Sequence, residues 1–370
     1  MTRNANLTSA KRVKQDEFYT QWSTIEKEIT AYLEHNPDVF RNKTVLLPCD
    51  DPEWSNFTKY FVSHFQDFGI KKLISTSCAP RIKSLGDSTR GKILVLDDPD
   101  ATTDNLRWEY LKGDGDFRGD EVTALRNQAD VVITNPPFSL FREFMRWLME
   151  GEVEFSVIGN MNAIKYKEVF PLFKNNRVWL GSVKDSSPVY EVPRISELKN
   201  SQFEKGGKRY QKFGNVRWFT NIPHGDINEP LDLVTMEDNL RYNRRIINNP
   251  KSYKKYDNYN AIEVPVTAGI PSDYDGVMGV PISFLDKHCP EQFEILGITN
   301  GRAEFDEISH PIKRYVNPVQ HNADGSTTHG GKVNTDAVIA VEKPSSVYYT
   351  ADNQPSPVVK VYSRILVRHT

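Results

Sequence analysis

Roughly the first 220 residues alternate short β-rich runs with amphipathic helical patterns, and this alternation restricts the possible folds most strongly. Strand-length apolar runs occupy residues 44–48, 72–75, 93–96, 131–134, 155–158, 178–180 and 216–222. Helical patterns cover residues 53–68, 120–128, 139–150 and 166–174. Such alternation favours an α/β fold with a mostly parallel sheet covered on both faces, in which ligands bind beyond the carboxyl ends of the strands.

The composition of the chain changes after about residue 224. Pro, Asn, Asp and Tyr become frequent, and the apolar runs become shorter. We therefore predict a basic flexible arm at 1–15, an α/β domain at 16–224 and a smaller β-rich domain at 225–370. A return of the last strands to the core of the first domain is an alternative arrangement.

Several classes of protein are disfavoured by what the chain contains. No apolar run approaches the roughly 20 residues that a membrane helix needs, and the basic N-terminus has no apolar stretch typical of a signal peptide. Cys49, Cys78 and Cys289 are far apart, and no His or Cys pair has metal-ligand spacing. We expect a cytoplasmic protein with no membrane span, disulfide framework or metal site.

Basic residues are concentrated in two stretches, although the formal net charge is −2. Residues 241–255 include six bases and no acid, and residues 194–217 include seven bases and two acids. Tyrosines lie within both stretches, which is typical of a nucleic-acid-binding surface, while an ordinary solvated surface is the alternative. The predicted DNA-binding residues are Lys208, Arg209, Arg241, Arg244, Arg245 and Lys254.

One short motif, residues 135–138, is the strongest indication of a catalytic site in the sequence. The apolar run at 131–134 continues directly into Asn135, Pro136, Pro137 and Phe138. Two prolines end a strand and hold the chain rigid, and carbonyl groups that precede proline have no N–H beside them to pair with. The Asn135 side-chain oxygen and the Pro136 carbonyl can both accept from one NH2 group, and Phe138 offers a stacking face. We predict these four residues as a catalytic site that orients an exocyclic amine, against the alternative of a simple strand end.

Three further stretches are expected at the same edge of the sheet. Residues 16–21 precede the first helix, with Thr20 as its expected N-cap. Residues 49–57 follow the first strand, where a doubly wound fold holds its nucleotide. Residues 113–117 combine a carboxylate and an aromatic ring in one turn. Each stretch alone is a common turn sequence, but together and in this order they predict a cofactor site.

These motifs, DEFYTQ, CDDPEWSNF, GDGDF and NPPFSLFREF, resemble those of the EcoRI-type adenine-specific DNA methyltransferases over most of residues 14–222. The block QKFGNVRWFTN at 211–221 fits the same family. The resemblance implies an S-adenosylmethionine-dependent, Rossmann-like domain at 16–224 and a target-recognition domain at 225–370. It implies N6-methylation of adenine in double-stranded DNA by a bacterial or phage-encoded enzyme, which we expect to be a monomer. A cognate restriction endonuclease is a further partner that the family allows.

The resemblance also assigns roles by position. The residues that it assigns to the cofactor are Phe18, Tyr19, Thr20, Asp50, Asp51, Ser55, Asp116 and Phe117. The first three would close over the methionine part, Asp50 and Asp51 would lie near its amino group or ribose, and the last two would bind its adenine. Trp218 or Phe219 would be a second stacking partner for a target adenine that is rotated out of the duplex, with ordinary strand core as the alternative.

Two departures from the family pattern concern the cofactor. The loop after the first strand has no glycine, and Ser55 and Asn56 stand where related methyltransferases often carry G-x-G. No acidic residue closes the second strand, where a ribose-binding carboxylate is usual, so Asp97 or Asp98 from the following strand is the expected substitute.

Other activities are weighed against DNA methylation. Guanine amino groups in RNA and glutamine amides in proteins are also methylated by enzymes with NPP motifs. Residues 99–100 and 109–112 weakly resemble the pattern of metal-dependent nucleases, but the lysine stands three rather than two residues after Glu109. A DNA-binding module without catalysis is the third alternative. The basic, tyrosine-rich stretches favour DNA as the substrate.

Overall fold

The computed structural model describes residues 20–79, 89–98, 107–184, 189–192, 202–212, 215–225, 227–299, 306–342, 344 and 347–370. These residues form two compact units. The first contains the described residues up to Val169 together with Val178–Gly225, and the second contains Phe170–Arg177 and the described residues after Gly225. The segment Phe170–Arg177, which we predicted in the first domain, therefore belongs to the second unit. The predicted arm at 1–15 lies outside the described residues.

The first unit is built on strands and helices close to the predicted positions. Its helices are α1 (Trp22–His35), α2 (Asn56–Ser63), α3 (Asp120–Arg126) and α4 (Phe141–Glu150). Its strands are β1 (Thr44–Leu47), β2 (Lys72–Ser77), β3 (Lys92–Leu96), β4 (Glu109–Tyr110), β5 (Val131–Thr134), β6 (Glu154–Asn160), β7 (Trp179–Leu180), β8 (Val189–Val192), β9 (Gln202–Lys205), β10 (Lys208–Lys212) and β11 (Val216–Thr220).

The central sheet is mixed and has eight strands, in the order β4-β3-β2-β1-β5-β6-β11-β7. The four central strands, β2, β1, β5 and β6, are parallel to one another. The pairs β2–β3, β3–β4, β6–β11 and β11–β7 are antiparallel. The α/β class is confirmed, and parallel pairing is confined to the four central strands; hydrophobic periodicity detects a strand without giving its direction, so it did not predict that β3 and β11 are reversed.

Helix α4 buries the apolar face that its sequence pattern predicts. The four apolar residues at i, i+3, i+4 and i+7 that predicted one buried face, Phe141, Phe144, Met145 and Leu148, are all buried. A single 3-10 turn, Phe138–Leu140, precedes the helix, so the Asn-Pro-Pro-Phe motif passes directly into this packed element. Helices α1 and α2 contribute Tyr32 and Phe57 to a second core. The site described below is therefore held by elements with fully buried faces.

The second unit is rich in β-structure. Its helices are α5 (Phe170–Lys174), α6 (Met236–Tyr242) and α7 (Arg244–Ile247). Its strands are β12 (Ile262–Glu263), β13 (Met278–Pro281), β14 (Phe293–Ile298), β15 (Val319–His321), β16 (Thr327–His329), β17 (Val338–Ala340), β18 (Tyr348–Ala351), β19 (Gln354–Lys360) and β20 (Arg364–His369).

These strands form two sheets, ordered β12-β13-β20-β14 and β16-β15-β18-β19-β17. Their inner faces share a core in which Leu366 of β20 clusters with Ile339 of β17 and Val359 of β19. The last strand, β20, lies between β13 and β14 of this unit. The last strand therefore pairs within the second unit and not with the described strands of the first sheet.

Candidate active site

The carboxyl ends of β1, β2 and β5 lie at one edge of the central sheet. β1 is parallel to both neighbours, with Val45 opposite Leu73 of β2 and opposite Val131 of β5. The chain segments that follow these strands are therefore adjacent, as the sequence predicted. They contain Asp50 and Asp51 after β1, and the Asn-Pro-Pro-Phe corner after β5.

The Asn-Pro-Pro-Phe corner follows β5 without an intervening residue. Pro136 is buried, whereas Asn135, Pro137 and Phe138 are half-buried. The Pro137 carbonyl accepts a hydrogen bond from the Leu140 amide at 2.9 Å, which starts the turn that leads into α4. The corner is therefore fixed on one side by a buried strand and on the other by a buried helix.

Asp50 connects the two loops at the centre of this edge. One of its carboxylate oxygens accepts from the Thr134 hydroxyl at 2.6 Å, and the other accepts from the Ser55 hydroxyl at 2.7 Å. The side chain is buried. Burial raises the pKa of Asp50 from its usual 3.8 to about 7, and the charge of Asp51 adds to the rise, although the Thr134 and Ser55 hydrogen bonds oppose it. Ser55 is also the N-cap of α2, where it accepts from the Phe57 amide at 3.1 Å.

Thr20 makes the second connection. Its hydroxyl accepts from Asn135 Nδ2 at 3.3 Å, and its carbonyl accepts from Asn56 Nδ2 at 2.7 Å. The side chain is buried. Thr20 is not the helix cap that we predicted, because Gln21 occupies the N-cap position of α1 and makes no side-chain cap bond. Phe18 and Tyr19 lie outside the described residues, so their predicted roles stay predictions.

Asp51 belongs to a charged cluster beside this centre. Its carboxylate accepts from the Ser77 hydroxyl at 3.2 Å and lies 3.3 Å from Lys92 Nζ. Lys92 also pairs with Glu53 and lies over the ring of Trp108, 4.6 Å from its centroid. The sequence reading missed Lys92, because its position opposite Ser77 depends on the antiparallel pairing of β3 with β2.

The Gly113–Phe117 turn reaches the same edge from β4. Gly115 has φ +78°, and a Cβ atom there would lie 2.3 Å from the Ser77 carbonyl oxygen, so only glycine allows the turn to dock against the end of β2. Asp116 pairs with Arg118 at 2.5 Å. Phe117 is buried and lies edge-on to Phe144, with ring centroids 4.9 Å apart. The predicted adenine-binding pair is thus at this edge, but the Phe117 ring is already packed.

The pKa of the Cys49 thiol indicates that the loop after β1 and the turn that contains Asp116 lie near each other. Burial raises its pKa, and the charges of Asp50, Cys78 and Asp116 add to that rise. The turn that contains Asp116 is therefore electrostatically coupled to the loop after β1. Proximity of these two loops is what a common cofactor site requires.

Asp97 and Asp98 cannot replace the missing ribose carboxylate. β3 runs antiparallel to β2, with Leu96 opposite Leu73 near the start of β2. The end of β3 consequently lies at the opposite edge of the sheet, where Asp97 lines a surface depression together with Lys72. The prediction failed because it assumed that β3 was parallel to β2.

Trp218 and Phe219 are both buried in the strand core. Trp218 packs against Phe57 with ring centroids 5.8 Å apart, and Phe219 packs against Phe141 at 5.0 Å. They are neighbours in β11, so they point to opposite faces of the sheet. Their packing fits the alternative of ordinary strand core, and a role for either in stacking on the target base stays a prediction.

A three-stranded antiparallel sheet, ordered β8-β10-β9, carries part of the first basic stretch, and we refer to its hairpin of β9 and β10 as the ribbon. β9 and β10 are joined by Gly206 and Gly207, both at positive φ, which is the two-residue turn that matches the twist of paired strands. Arg209 pairs with Glu204 at 3.3 Å across the ribbon. The side chain of Lys208 lies outside the described residues.

The second basic stretch lies on two short helices of the second unit. Arg241 in α6, Arg244 and Arg245 in α7, and Lys254 are all exposed. Asn243 ends α6 and caps α7, where its side-chain oxygen accepts from the Arg245 amide at 3.2 Å. Arg241, Arg244 and Arg245 are therefore presented to solvent on either side of the bend between α6 and α7, and Lys254 is exposed beyond the end of α7.

No group of three or more His, Cys, Asp or Glu side chains capable of holding a metal ion occurs among the described residues. None of the helices in the described part of the chain is long and apolar enough to cross a membrane.

An Asn-Pro-Pro-Phe corner beside an acidic loop, at the carboxyl edge of parallel strands, is the arrangement expected of an amino-group methyltransferase. Residues 6–370 match the family model "Adenine-specific methyltransferase EcoRI", and the chain belongs to this family. The predicted family is thereby confirmed, and the chain is an adenine-specific DNA methyltransferase.

Three curated relatives agree with this assignment. Type II methyltransferase M.EcoRI of Escherichia coli is 40% identical over 325 residues, which are 83% of this chain and 94% of the relative. M.MpnI of Mycoplasma pneumoniae is 35% identical over 81% of this chain and 88% of its own length. M.MgeORF184P of Mycoplasma genitalium is 34% identical over 82% and 89%. No solved structure matches the chain significantly.

Proposed function

We propose that the chain transfers a methyl group from S-adenosylmethionine to N6 of an adenine that has been rotated out of a DNA duplex. The observation that carries the proposal is the pair of hydrogen bonds that tie β5 and the corner to other elements, Thr134 to Asp50 and Asn135 to Thr20. They join the corner to two of the three segments that the family resemblance assigns to the cofactor. Amine and methyl donor would then meet at one edge of the sheet.

In this proposal the corner acts by orientation. The adenine amine donates one hydrogen to Asn135 Oδ1 and the other to the Pro136 carbonyl, which draws its lone pair out of conjugation with the ring. The Pro137 carbonyl is less suited, because it already accepts from the Leu140 amide. Phe138 stacks on the base, and its half-buried ring stands at the boundary between core and solvent.

The residues at this edge fit a cofactor of this kind. S-adenosylmethionine, when bound, supplies a methyl group on a positively charged sulfur. Asp51 and Asp116 are proposed to accept from its amino and ribose or adenine donors, since each carboxylate oxygen can accept more than one hydrogen bond. The turn at Gly115 lies so close to Ser77 that no side chain could stand between them. The two oxygens of Asp50 accept from Ser55 and Thr134, so Asp50 would hold the walls of the cofactor pocket in place rather than contact the cofactor.

The ribbon of β9 and β10 is proposed to bind DNA with one face only. Phe203 and Tyr210 are opposite in register and stack with centroids 5.6 Å apart, and the period of two places Lys205 and Lys212 on their face. The other face carries Gln202 bonded to Gln211 at 2.9 Å and the Glu204–Arg209 pair, which is neutral overall. β10 also pairs with β8, so the ribbon is part of a three-stranded sheet, and DNA would meet the face of that sheet on which lysines beside an aromatic pair suit phosphates and bases.

Exchanging Lys205 and Lys212 for Gln tests the ribbon. Two lost phosphate contacts should lower the slope of log affinity against log salt by about 2, with weaker binding to every duplex tested. The matched control is Lys27→Gln, at an exposed lysine on α1. An unchanged salt slope in the double variant would remove the ribbon from the DNA-binding surface.

Sequence recognition is proposed for the second unit. Arg241, Arg244 and Arg245 are exposed and can make bidentate contacts to guanine, each worth about 1–3 kcal/mol of discrimination. The exposed apolar side chains of Tyr242 and Ile247 lie among them and suit contact with thymine methyl groups.

The substrate class can be tested by direct competition. Purified enzyme is incubated with methyl-labelled S-adenosylmethionine and equal masses of duplex DNA, RNA and cell protein, and label in each fraction is counted. We expect label in DNA alone, as N6-methyladenine after digestion to nucleosides. Label in RNA guanine or in protein glutamine, the two other substrates of NPP enzymes, would contradict the proposal.

A further inference from the structure

Glu28 lies in the middle of the buried face of α1. The other residues of this face are Ile25, Ile29 and Tyr32, and Glu28 itself is fully buried. A carboxylate in such a position lowers stability unless hydrogen bonds compensate for its lost hydration. The Tyr32 hydroxyl donates to Glu28 Oε1 at 2.6 Å and also lies 2.8 Å from the Ser156 hydroxyl of β6. The carboxylate has further partners outside its own helix.

These partners are backbone amides of the loop that follows β7. The Ser182 amide donates to Glu28 Oε1 at 3.2 Å, and the Val183 amide donates to Oε2 at 2.8 Å. Gly181 precedes them, and a Cβ atom there would lie 2.0 Å from Glu28 Oε1 and 2.6 Å from the Trp218 Cβ atom. The loop is therefore packed so closely against the carboxylate that only glycine fits at its first position.

The loop after β7 leaves the central sheet at the edge that carries the Asn-Pro-Pro-Phe corner. β6 is parallel to β5, and both β6 and β7 are antiparallel to β11, so β7 ends at the same edge as β5. β11 begins at that edge, because Val216 is opposite Asn160 at the end of β6. Since β8, β9 and β10 lie between β7 and β11 in the chain, the sheet that contains the ribbon is connected to the central sheet at the active-site edge.

Helix α1 links this connection to the corner. Asn135 Nδ2 donates to the hydroxyl of Thr20, two residues before the helix, at 3.3 Å. Glu28 lies about 9 Å along the helix axis from its first residue, Trp22. The helix is held by its buried face over this distance, so a single element contacts both the corner and the loop that leads to the ribbon.

From these contacts we propose that Glu28 is a positioning residue for methyl transfer, which fixes the connection between the central sheet and the sheet of β8, β9 and β10. This inference rests on the proposed function, both on adenine methylation and on DNA binding by the ribbon. A duplex held by the ribbon meets the corner only if the ribbon projects from the edge in one direction. Two amide hydrogen bonds to a carboxylate leave the loop little freedom to change that direction, because a fully buried acceptor is not shared with water.

Glu28→Gln tests the proposal with little change in side-chain volume. One acceptor oxygen becomes an NH2 group, which cannot accept from a backbone amide. We expect the single-turnover rate of methyl transfer to fall about 10- to 100-fold, as for the loss of a hydrogen bond to a charged group that aligns the substrate. The salt dependence of DNA binding should be unchanged, because the lysines of the ribbon remain. The dissociation constant of S-adenosylmethionine, measured by calorimetry, should change by less than about 2-fold, because Glu28 contacts the loop after β7 and not the loop after β1.

Base extrusion gives a readout that a purely structural role would not change. The target adenine, identified by modified-base sequencing of methylated plasmid DNA, is replaced by 2-aminopurine, whose fluorescence increases when the base leaves the stack. At saturating protein, the fluorescence increase with Glu28→Gln should be less than about half of that with wild type, because the bound duplex is no longer aligned with the corner. A full fluorescence increase and a wild-type rate in the folded variant would overturn the proposal.

Tyr32→Phe is the matched control on the same helix. It removes the hydroxyl that donates to Glu28 and leaves both loop amides bonded. We expect lower stability in urea, with a rate and a fluorescence increase within about 2-fold of wild type. Equal losses of rate in Tyr32→Phe and Glu28→Gln would report stability alone and overturn the proposal.

Gly181→Ala is the complementary variant, because it keeps the carboxylate and displaces the loop. It should show the same losses of rate and fluorescence as Glu28→Gln, and it decides the question if Glu28→Gln does not fold. A fully active Gly181→Ala enzyme would overturn the proposal. Failure of both variants to fold would show that the anchor is only structural, which would also overturn it.

These outcomes are separate from those of the proposed function. A wild-type enzyme that does not methylate adenine in DNA would refute the proposed function, and an unchanged salt slope after exchange of Lys205 and Lys212 would refute DNA binding by the ribbon. An active wild type with a fully active Glu28→Gln variant would refute only the positioning role of Glu28.

Discussion

The buried carboxylate of Asp50 should make the stability of this enzyme fall as the pH rises from about 4 to about 7. Burial raises its pKa from 3.8 to about 7, so folding favours the protonated form. For a group whose pKa is raised in the folded state, the stabilising contribution is complete below the unfolded pKa and is lost as the pH rises towards the folded pKa. The loss should therefore develop between about pH 4 and pH 7 and then level off.

The size of this effect follows from the same values. A rise of about three pH units in one pKa corresponds to roughly 4 kcal/mol of unfolding free energy. That is a large share of the ~5–15 kcal/mol by which folded proteins are usually stable. Asp50→Asn remains neutral at every pH and keeps an oxygen for the Thr134 hydroxyl, so it should not show this loss.

The assay is urea unfolding of wild type and Asp50→Asn at several pH values between 4 and 8. Groups that do not interact with Asp50 act equally in both proteins, so the difference between the two free energies reports Asp50 together with its interactions with Asp51 and Cys49. We expect the unfolding free energy of Asp50→Asn, relative to that of the wild type, to rise by up to roughly 4 kcal/mol between pH 4 and pH 7. A difference that stays constant over this range would refute the reasoning, because Asp50 would then have the same pKa in both states.

Two further predictions concern packing and a buried ion pair. Gly159→Ala would place a Cβ atom 2.4 Å from the Phe141 ring and 2.9 Å from the Phe219 ring, so urea unfolding should show a loss of about 1–3 kcal/mol; unchanged stability would mean that these rings can move apart. Arg364→Ala would leave Glu263, which is 1% exposed and 2.6 Å from the guanidinium, as a buried unpaired charge, with a loss of about 3–5 kcal/mol. Adding Glu263→Gln should restore part of that loss, and no recovery would argue against the charge as its cause.

The predictable parts of the fold are those that depend only on residues close together in the sequence. The buried run Val131–Thr134, with three apolar residues and a threonine, and the two prolines that follow it were enough to predict both the strand and its end. The helix face of Phe141, Phe144, Met145 and Leu148 followed from their spacing alone. Strand direction is not local, and the error over β3 misplaced Asp97 for that reason.

The contacts within the site were less predictable than its motifs. The sequence grouped Asp50 and Asn135 in one site, but their partners Thr134 and Thr20 could not be chosen in advance. Thr20 and Asn135 are 115 positions apart and meet through a single polar contact. No periodicity records such a pair, because hydrogen bonds depend on the positions of individual atoms in the folded chain.

In the proposed mechanism the Asn135 carboxamide and the Pro136 carbonyl orient the amine of a target adenine. Its most direct test is nucleoside mass spectrometry of plasmid DNA from cells that express wild type or Asn135→Ala, together with the DNA affinity of each purified protein. We predict that N6-methyladenine falls about 100-fold or more in the variant, as when one preorganised partner is removed from an active site, while DNA affinity stays within a few-fold. Wild-type levels of N6-methyladenine in DNA from the Asn135→Ala cells would contradict the proposed role of the Asn135 carboxamide.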